Sequence, residues 1–108
     1  MKNSEPHEHT QHDDGARDAV LRYFTAQRLA AYLGTQTGGK VTTVGKEKFR
    51  IEGAGLGGLE VTTKNDRAVW HLHADGKGGD CFKAFEHFES IVGFPAQLTR
   101  GAELAGIV

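Results

Sequence analysis

One five-residue run, Gly76-Lys77-Gly78-Gly79-Asp80, does most to limit the folds open to this chain. Before it, Arg67–Leu72 alternates apolar and polar residues, the pattern of a half-buried strand. After it, Cys81, Phe85, Phe88 and Val92 recur at helical spacing, flanked by Phe82, Ala84 and Ile91. The glycines allow a sharp turn and close backbone approach, and Asp80 is placed to cap the first turn of the helix that follows. Gly76, Gly78, Gly79 and Asp80 are therefore read as turn and cap residues. The chain must pass from a strand through a tight turn straight into a helix, Cys81–Val92, which Gly93 ends.

The remaining patterns fit around that junction. Ala19, Val20, Tyr23, Phe24, Leu29, Ala30 and Leu33 mark two short helices broken near Phe24-Thr25, with Thr25 as an N-cap and Gly34 as the closing glycine. After a loop Thr35–Gly39, Val41–Val44 is β-branched throughout. Lys46–Glu52 alternates, with Phe49 and Ile51 on one face and Lys48, Arg50 and Glu52 on the other. Leu59–Thr63 and Arg67–Leu72 form a further pair around the turn Lys64-Asn65-Asp66. Phe94-Pro95 opens a last helix with Leu98, Ala102 and Ala105 inward, weakened modestly by Gly101. The expected fold is α+β: an antiparallel three- to four-stranded meander flanked by N-terminal and C-terminal helices.

A chain of 108 residues makes one domain. Residues 1–15 hold no apolar side chain after Met1, and their composition (His7, His9 and His12 among Glu5, Glu8, Asp13 and Asp14) is that of a disordered polar tail. The domain is then residues 16–108. The net charge of −1 hides an asymmetry: of 13 basic and 14 acidic side chains, Lys2 and four acids lie in the tail, leaving 12 and 10 in the domain. That bias excludes a strongly basic nucleic-acid binder and leaves only a local patch. The single cysteine, Cys81, excludes an internal disulfide and a multi-cysteine zinc site; it reads as a core residue. No apolar run spans a membrane and no signal peptide opens the chain, so a cytoplasmic protein without membrane contact is expected.

Few motifs carry chemistry. Gly53-Ala54-Gly55-Leu56-Gly57-Gly58 has dinucleotide-turn spacing, but a strand follows it where that motif needs a helix. Gly76–Asp80 lacks the earlier glycine and the Ser/Thr of a phosphate loop. Lys77 is nonetheless placed to meet a phosphate, while Asp80 already occupies the positive pole of the next helix. His71 and His73 point to one side of a strand and, with Asp75 or Asp80, offer nitrogen and oxygen ligands; surface or strand-packing histidines, with no metal and no cofactor, are the expectation. Cys81 and His87 stand six apart on one helix, about 600° of turn, and cannot form a catalytic pair. Lys40, Lys46, Lys48, Arg50, Lys64, Arg67 and Lys77 lie in or beside the strands, interspersed with Glu47, Glu52, Glu60, Asp66 and Asp75. Two readings stay open: a face that tracks a single strand of nucleic acid, with Trp70 or His71 for base stacking, or an ordinary solvated sheet face with Trp70 in the core.

From Leu29 to Val108 the chain resembles the CHC2-type zinc-binding domain of DnaG-type bacterial, phage and plasmid primases. The resemblance rests on a helix ending in Leu33-Gly34, the strand meander, the Gly76–Asp80 turn and the aromatic-rich helix. Gly93-Phe94-Pro95-Ala96 and Ala102-Glu103-Leu104-Ala105-Gly106-Ile107 follow in the family's order. The family's Cys-x-x-Cys positions fall on Leu72 and Asp75, and its upstream Cys-Pro-x-His falls near Phe49 and Glu52. The resemblance therefore implies a zinc-less version, with Phe49 and Leu72 filling the metal's place by apolar packing.

In that family the domain engages the single-stranded template while a separate domain carries polymerase chemistry, which this chain lacks. The resemblance implies a non-catalytic DNA-binding accessory module for replication or priming of a phage, plasmid or mobile element. Lys48, Arg50, Lys64, Arg67, Trp70, His71 and Lys77 are its nucleic-acid contacts, and a polymerase, primase or helicase subunit is its partner. The alternative is a protein–protein interaction module, monomeric or dimeric, that docks onto a replication or host protein without touching nucleic acid.

Overall fold

The computed structural model of the chain describes residues 15–53 and 57–107. The polar tail, apart from Gly15, and the middle of the Gly53–Gly58 connection lie outside the described residues. Gly15, assigned by composition to the tail, instead opens helix α1 (residues 15–23). Helix α2 (Ala26–Thr37) follows at once, because Thr25 caps it by accepting from the Arg28 amide at 3.2 Å. Strands β1 (Lys40–Gly45), β2 (Lys48–Glu52), β3 (Leu59–Lys64), β4 (Arg67–Leu72) and β5 (Lys77–Gly79) then precede helices α3 (Cys81–Glu89) and α4 (Phe94–Ala105). The class is α+β, as expected, with five strands in place of three or four.

The sheet is a meander in which every strand pairs antiparallel with its sequence neighbours, in the order β1-β2-β3-β4-β5. The turn between β3 and β4 is two residues long. Asn65 and Asp66 both take positive φ (53° and 63°), the twist that matches a hairpin. One face is apolar: Ile51, Leu59 and Leu72 form a row across three strands, and Val61 and Trp70 form the next. All five are buried, together with Leu29, Leu33, Cys81, Ala84 and Phe85 from the helices. Their neighbours along each strand, including Lys48, Arg50, Lys64, Arg67 and His71, are exposed. The helices therefore cover one face and leave the other to solvent, as antiparallel sheets permit.

Several boundaries differ from the sequence reading, each for a local reason. Gly34 does not end α2, and residues 35–37 are helix rather than loop. The αL residue is Gly38 (φ 72°), whose amide bonds the Gly34 carbonyl. Gly34 is instead a contact glycine, since a Cβ there would lie 2.8 Å from Val41 Cγ2. Lys46 and Glu47 form the β1–β2 turn rather than the start of β2. The helix after Asp80 stops at Glu89, because Ser90 takes φ 60° and returns its amide to the Phe85 and Glu86 carbonyls. Val92, expected on the apolar face, is consequently 76 % exposed, and Gly93 serves α4 as its N-cap.

Pro95 lies in the first turn of α4 as expected, but the buried residues of that helix are Gln97 and Gly101. Leu98, Ala102 and Ala105 are only half-buried. Gln97 donates to the Ile91 carbonyl at 3.0 Å and fastens the α3–α4 connection. Gly101 is where α4 meets α1: a Cβ there would come within 2.6 Å of Val20 Cγ1 and 3.3 Å of Phe85 Cε2.

In an exposed helix interior, Gly→Ala stabilises by about 1 kcal/mol. At Gly101 the sign reverses, and Gly101→Ala destabilises the fold by about 1–3 kcal/mol through overpacking. Urea unfolding checks this, and adding Val20→Ala restores part of the loss.

Candidate nucleic-acid interface and the sites around it

Basic side chains gather on the exposed face of the sheet. Thr42, Arg50, Glu60, His71 and Gly78 form one row across all five strands, each opposite the next. Lys48 lies two residues from Arg50 on the same side of β2, and Lys64 faces Arg67 at the tip of the β3–β4 hairpin. Arg50 donates to Glu60 Oε2 at 3.2 Å, whereas Lys48, Lys64 and Arg67 form no ion pair among the described residues. Glu47, in the β1–β2 turn, accepts from Thr63 at 2.9 Å. Partial burial works to raise the Glu60 carboxyl, but hydrogen bonds from His73 and Arg50 and the charges of Lys48 and Arg50 outweigh it. The net effect holds Glu60 below its ordinary value. On this face Glu60 is held by Arg50 and His73 and Glu52 lies exposed at the far end of β2, while Lys48, Lys64 and Arg67 form no ion pair among the described residues.

Two of the expected contacts are elsewhere. Trp70 is not a stacking platform. It is 3 % exposed, points into the core beside Phe88 (ring centroids 5.1 Å) and donates its indole N–H to the Asp80 carbonyl at 3.0 Å. Lys77 pairs with Leu72 and so projects to the helix-covered side. There it lines a cleft of about 390 Å³ with Trp70, Gly78, Lys83, Glu86 and His87. The remaining set, Lys48, Arg50, Lys64, Arg67 and His71, shares one face. His73, paired with His71 in the sequence as a candidate ligand but not as a nucleic-acid contact, lies with its ring against His71, centroids 4.3 Å apart. The His-x-His spacing named the pair, but only the cross-strand register shows what it faces.

The turn residues have structural duties. Asp80 caps α3, accepting from the Lys83 amide at 3.1 Å. Gly76 lies in the turn, whereas Lys77–Gly79 is strand β5 rather than turn. Gly78 lets β5 close on β4, since a Cβ there would stand 2.6 Å from the Trp70 carbonyl oxygen. Phe49 and Leu72 do not fill a common space: Phe49 belongs to the Val61–Trp70 row and Leu72 to the Ile51–Leu59 row, two strands apart. What closes that end of the sheet is backbone, with the His73 and Ala74 amides donating to the Gly58 and Gly57 carbonyls at 3.2 and 2.9 Å.

Two buried acids lie on the helix side. Burial first, and the Asp80 charge second, push the Cys81 thiol up to about 12. Tyr32 donates to Glu89 Oε2 at 2.6 Å, an oxygen that also accepts from Arg100 at 3.3 Å. Burial, then that bond, hold the phenol well above its ordinary value. Comparison with protein-family models, curated proteins and solved structures finds no match. Among the described residues no helix is long and apolar enough to cross a membrane.

Cys81 and Tyr32 keep their protons when folded, while the unfolded chain releases them from about 9.0 and 10.0. The stability they supply is complete below about pH 9 and falls as pH rises further. Urea midpoints at pH 8, 10 and 11 read this decline, which is shallower in Tyr32→Phe. At pH 8 a thiol reagent labels Cys81 only when denaturant is present.

Proposed function

We propose that this chain is a non-catalytic module that binds single-stranded DNA across the open face of its sheet, in replication or priming of a phage, plasmid or other mobile element. The observation that carries the reading is the gathering of Lys48, Arg50, Lys64 and Arg67 on one helix-free face spanning β2 to β4. Strands about 4.8 Å apart place these cations over roughly 10 Å, a width a single sugar–phosphate strand can follow. His71, exposed on the same face, supplies a flat ring for base stacking. The context of replication, and a polymerase, primase or helicase subunit as partner, rest on the resemblance of Gly76–Asp80, Gly93–Ala96 and Ala102–Ile107 to the primase domain. A modest surplus of charge fits a module that a partner brings to its template.

A second reading, a protein-interaction module acting as a monomer or a dimer, draws on a different observation. Strand β1 is a sheet edge whose Val41 and Val44 are both exposed, and Val41–Val44 is β-branched throughout. An unpaired edge of that composition accepts another strand.

Fluorescence anisotropy with a single-stranded oligonucleotide separates the two. The DNA reading expects binding that weakens with salt, falls at least tenfold in Lys48→Glu/Arg50→Glu, and stays within about twofold in Lys77→Glu. In Lys48→Ala/Lys64→Ala the log–log salt slope flattens by about 1.4, at about 0.7 for each lost phosphate contact. Trp70 emission is unchanged on binding because its ring is in the core. Absence of binding at low salt rejects the reading and moves the search to β1.

A further inference from the structure

We propose that Glu60, His71 and His73 form a binding site for a first-row transition ion of the Zn²⁺ class on the sheet surface. The arrangement follows from register. Glu60 on β3 and His71 on β4 are direct cross-strand partners, so both side chains leave the same face. Just past the end of β4, in the turn, the His73 amide donates to the Gly58 carbonyl at 3.2 Å. His73 therefore stands opposite a residue with no side chain. A Cβ at Gly58 would come within 3.2 Å of both Cβ and Cδ2 of His73, so the ring lies over the glycine and leans towards Glu60.

One pair of donors already stands at the separation that two ligands of one ion require. His73 Nε2 lies 3.4 Å from Glu60 Oε1, long for a good hydrogen bond. Four donors at the usual zinc bond lengths of about 2.0–2.1 Å stand about 3.3–3.4 Å from one another in a tetrahedron. The His71 ring is beside the His73 ring, centroids 4.3 Å apart and planes tilted by 34°. In the present rotamers the three donors do not converge, and among the described residues no three such side chains already do. Both residues are exposed and χ2 of histidine is a broad torsion, so their rings are free to reorient, and the site requires a His71 nitrogen to turn towards Glu60 Oε1 and His73 Nε2.

Arg50 completes the site from behind. It donates to Glu60 Oε2 and leaves Oε1 facing His73. A hydrogen bond to the non-ligating oxygen orients a carboxylate ligand and keeps it charged. The chemistry also selects the ion. Two imidazoles with one carboxylate suit zinc, nickel or copper. One carboxylate next to Lys48 and Arg50 is too little negative charge for calcium, which wants six to eight oxygen donors. The three protein ligands leave a tetrahedral position to water.

The test uses the full-length chain with His7→Ala/His9→Ala/His12→Ala, so that metal held by those histidines does not enter the count. Zn²⁺ is titrated against a chromophoric chelator, and Co²⁺ binding is followed by its visible absorption. One equivalent bound, an intense tetrahedral Co²⁺ spectrum, and at least tenfold weaker binding in each of Glu60→Gln, His71→Ala and His73→Ala are expected. His87→Ala, on α3, leaves the affinity unchanged. No binding to the tail-substituted chain, or binding indifferent to the three substitutions, overturns the site. Circular dichroism of each variant separates lost ligands from lost fold.

Discussion

The ring of Phe85 is the point on which the helices depend. It is fully buried and meets Phe24 at the α1–α2 corner, Tyr32 on α2 and Phe82 on its own helix, all edge-to-face at 5.4 to 6.1 Å. On its remaining side α4 comes close at Gly101, where a Cβ would lie 3.3 Å from the ring and 2.6 Å from Val20 Cγ1. Edge-to-face aromatic pairs add about 0.5–1.5 kcal/mol beyond their buried area, and their angular preference fixes direction as well as proximity. Four helices thus take their positions from one side chain. Trp70 ties the same helix to the sheet through the Asp80 carbonyl. The helical layer and the strands are joined there, beside the junction at which the chain turns from β to α.

The parts of this architecture legible in the sequence were those set by neighbours in the chain. Thr25, Asp80 and Pro95 announced helix starts because a cap or a first-turn proline acts over three or four residues. The alternation in Lys48–Glu52 and Arg67–Leu72 gave the right faces because side-chain direction in a strand has a period of two. The misread positions depend on tertiary contact. Gly34 and Gly101 look like helix breakers, yet each sits where another element presses on the backbone, at Val41 and Val20. Strand β5 carries almost no side chains, so no pattern could reveal it. It exists because β4 offers it a free edge.

The surface was legible in the same measure. The strand faces of Lys48 and Arg50 followed from alternation, whereas Lys77 was misplaced because its direction depends on pairing with Leu72. Trp70 has the same composition signal whether it stacks on a base or fills a core, and burial decides for the core. The spacing put His73 beside His71, but the cross-strand side of that neighbourhood could not be read before the register was known. The residue across from it, Glu60, is eleven positions away in sequence, and the one across from His73 is a glycine. A glycine opposite an imidazole leaves room for the ring to lie over it, an arrangement that no motif announces.

The order of the strands bears on how the chain reaches this structure. Every pairing in the meander joins neighbours in sequence, so each hairpin closes a short loop and costs little chain entropy. The contact of Val20 with Gly101 is the opposite case, drawing together helices from the two ends of the described chain. Contacts so distant in sequence form late unless others have already brought their partners together. The sheet can therefore assemble by local zipping, while docking of α4 against α1 waits for Phe85 to be in place. Such a molecule has a sheet that persists when its helical clasp opens, and amide exchange would be fastest where the clasp closes last.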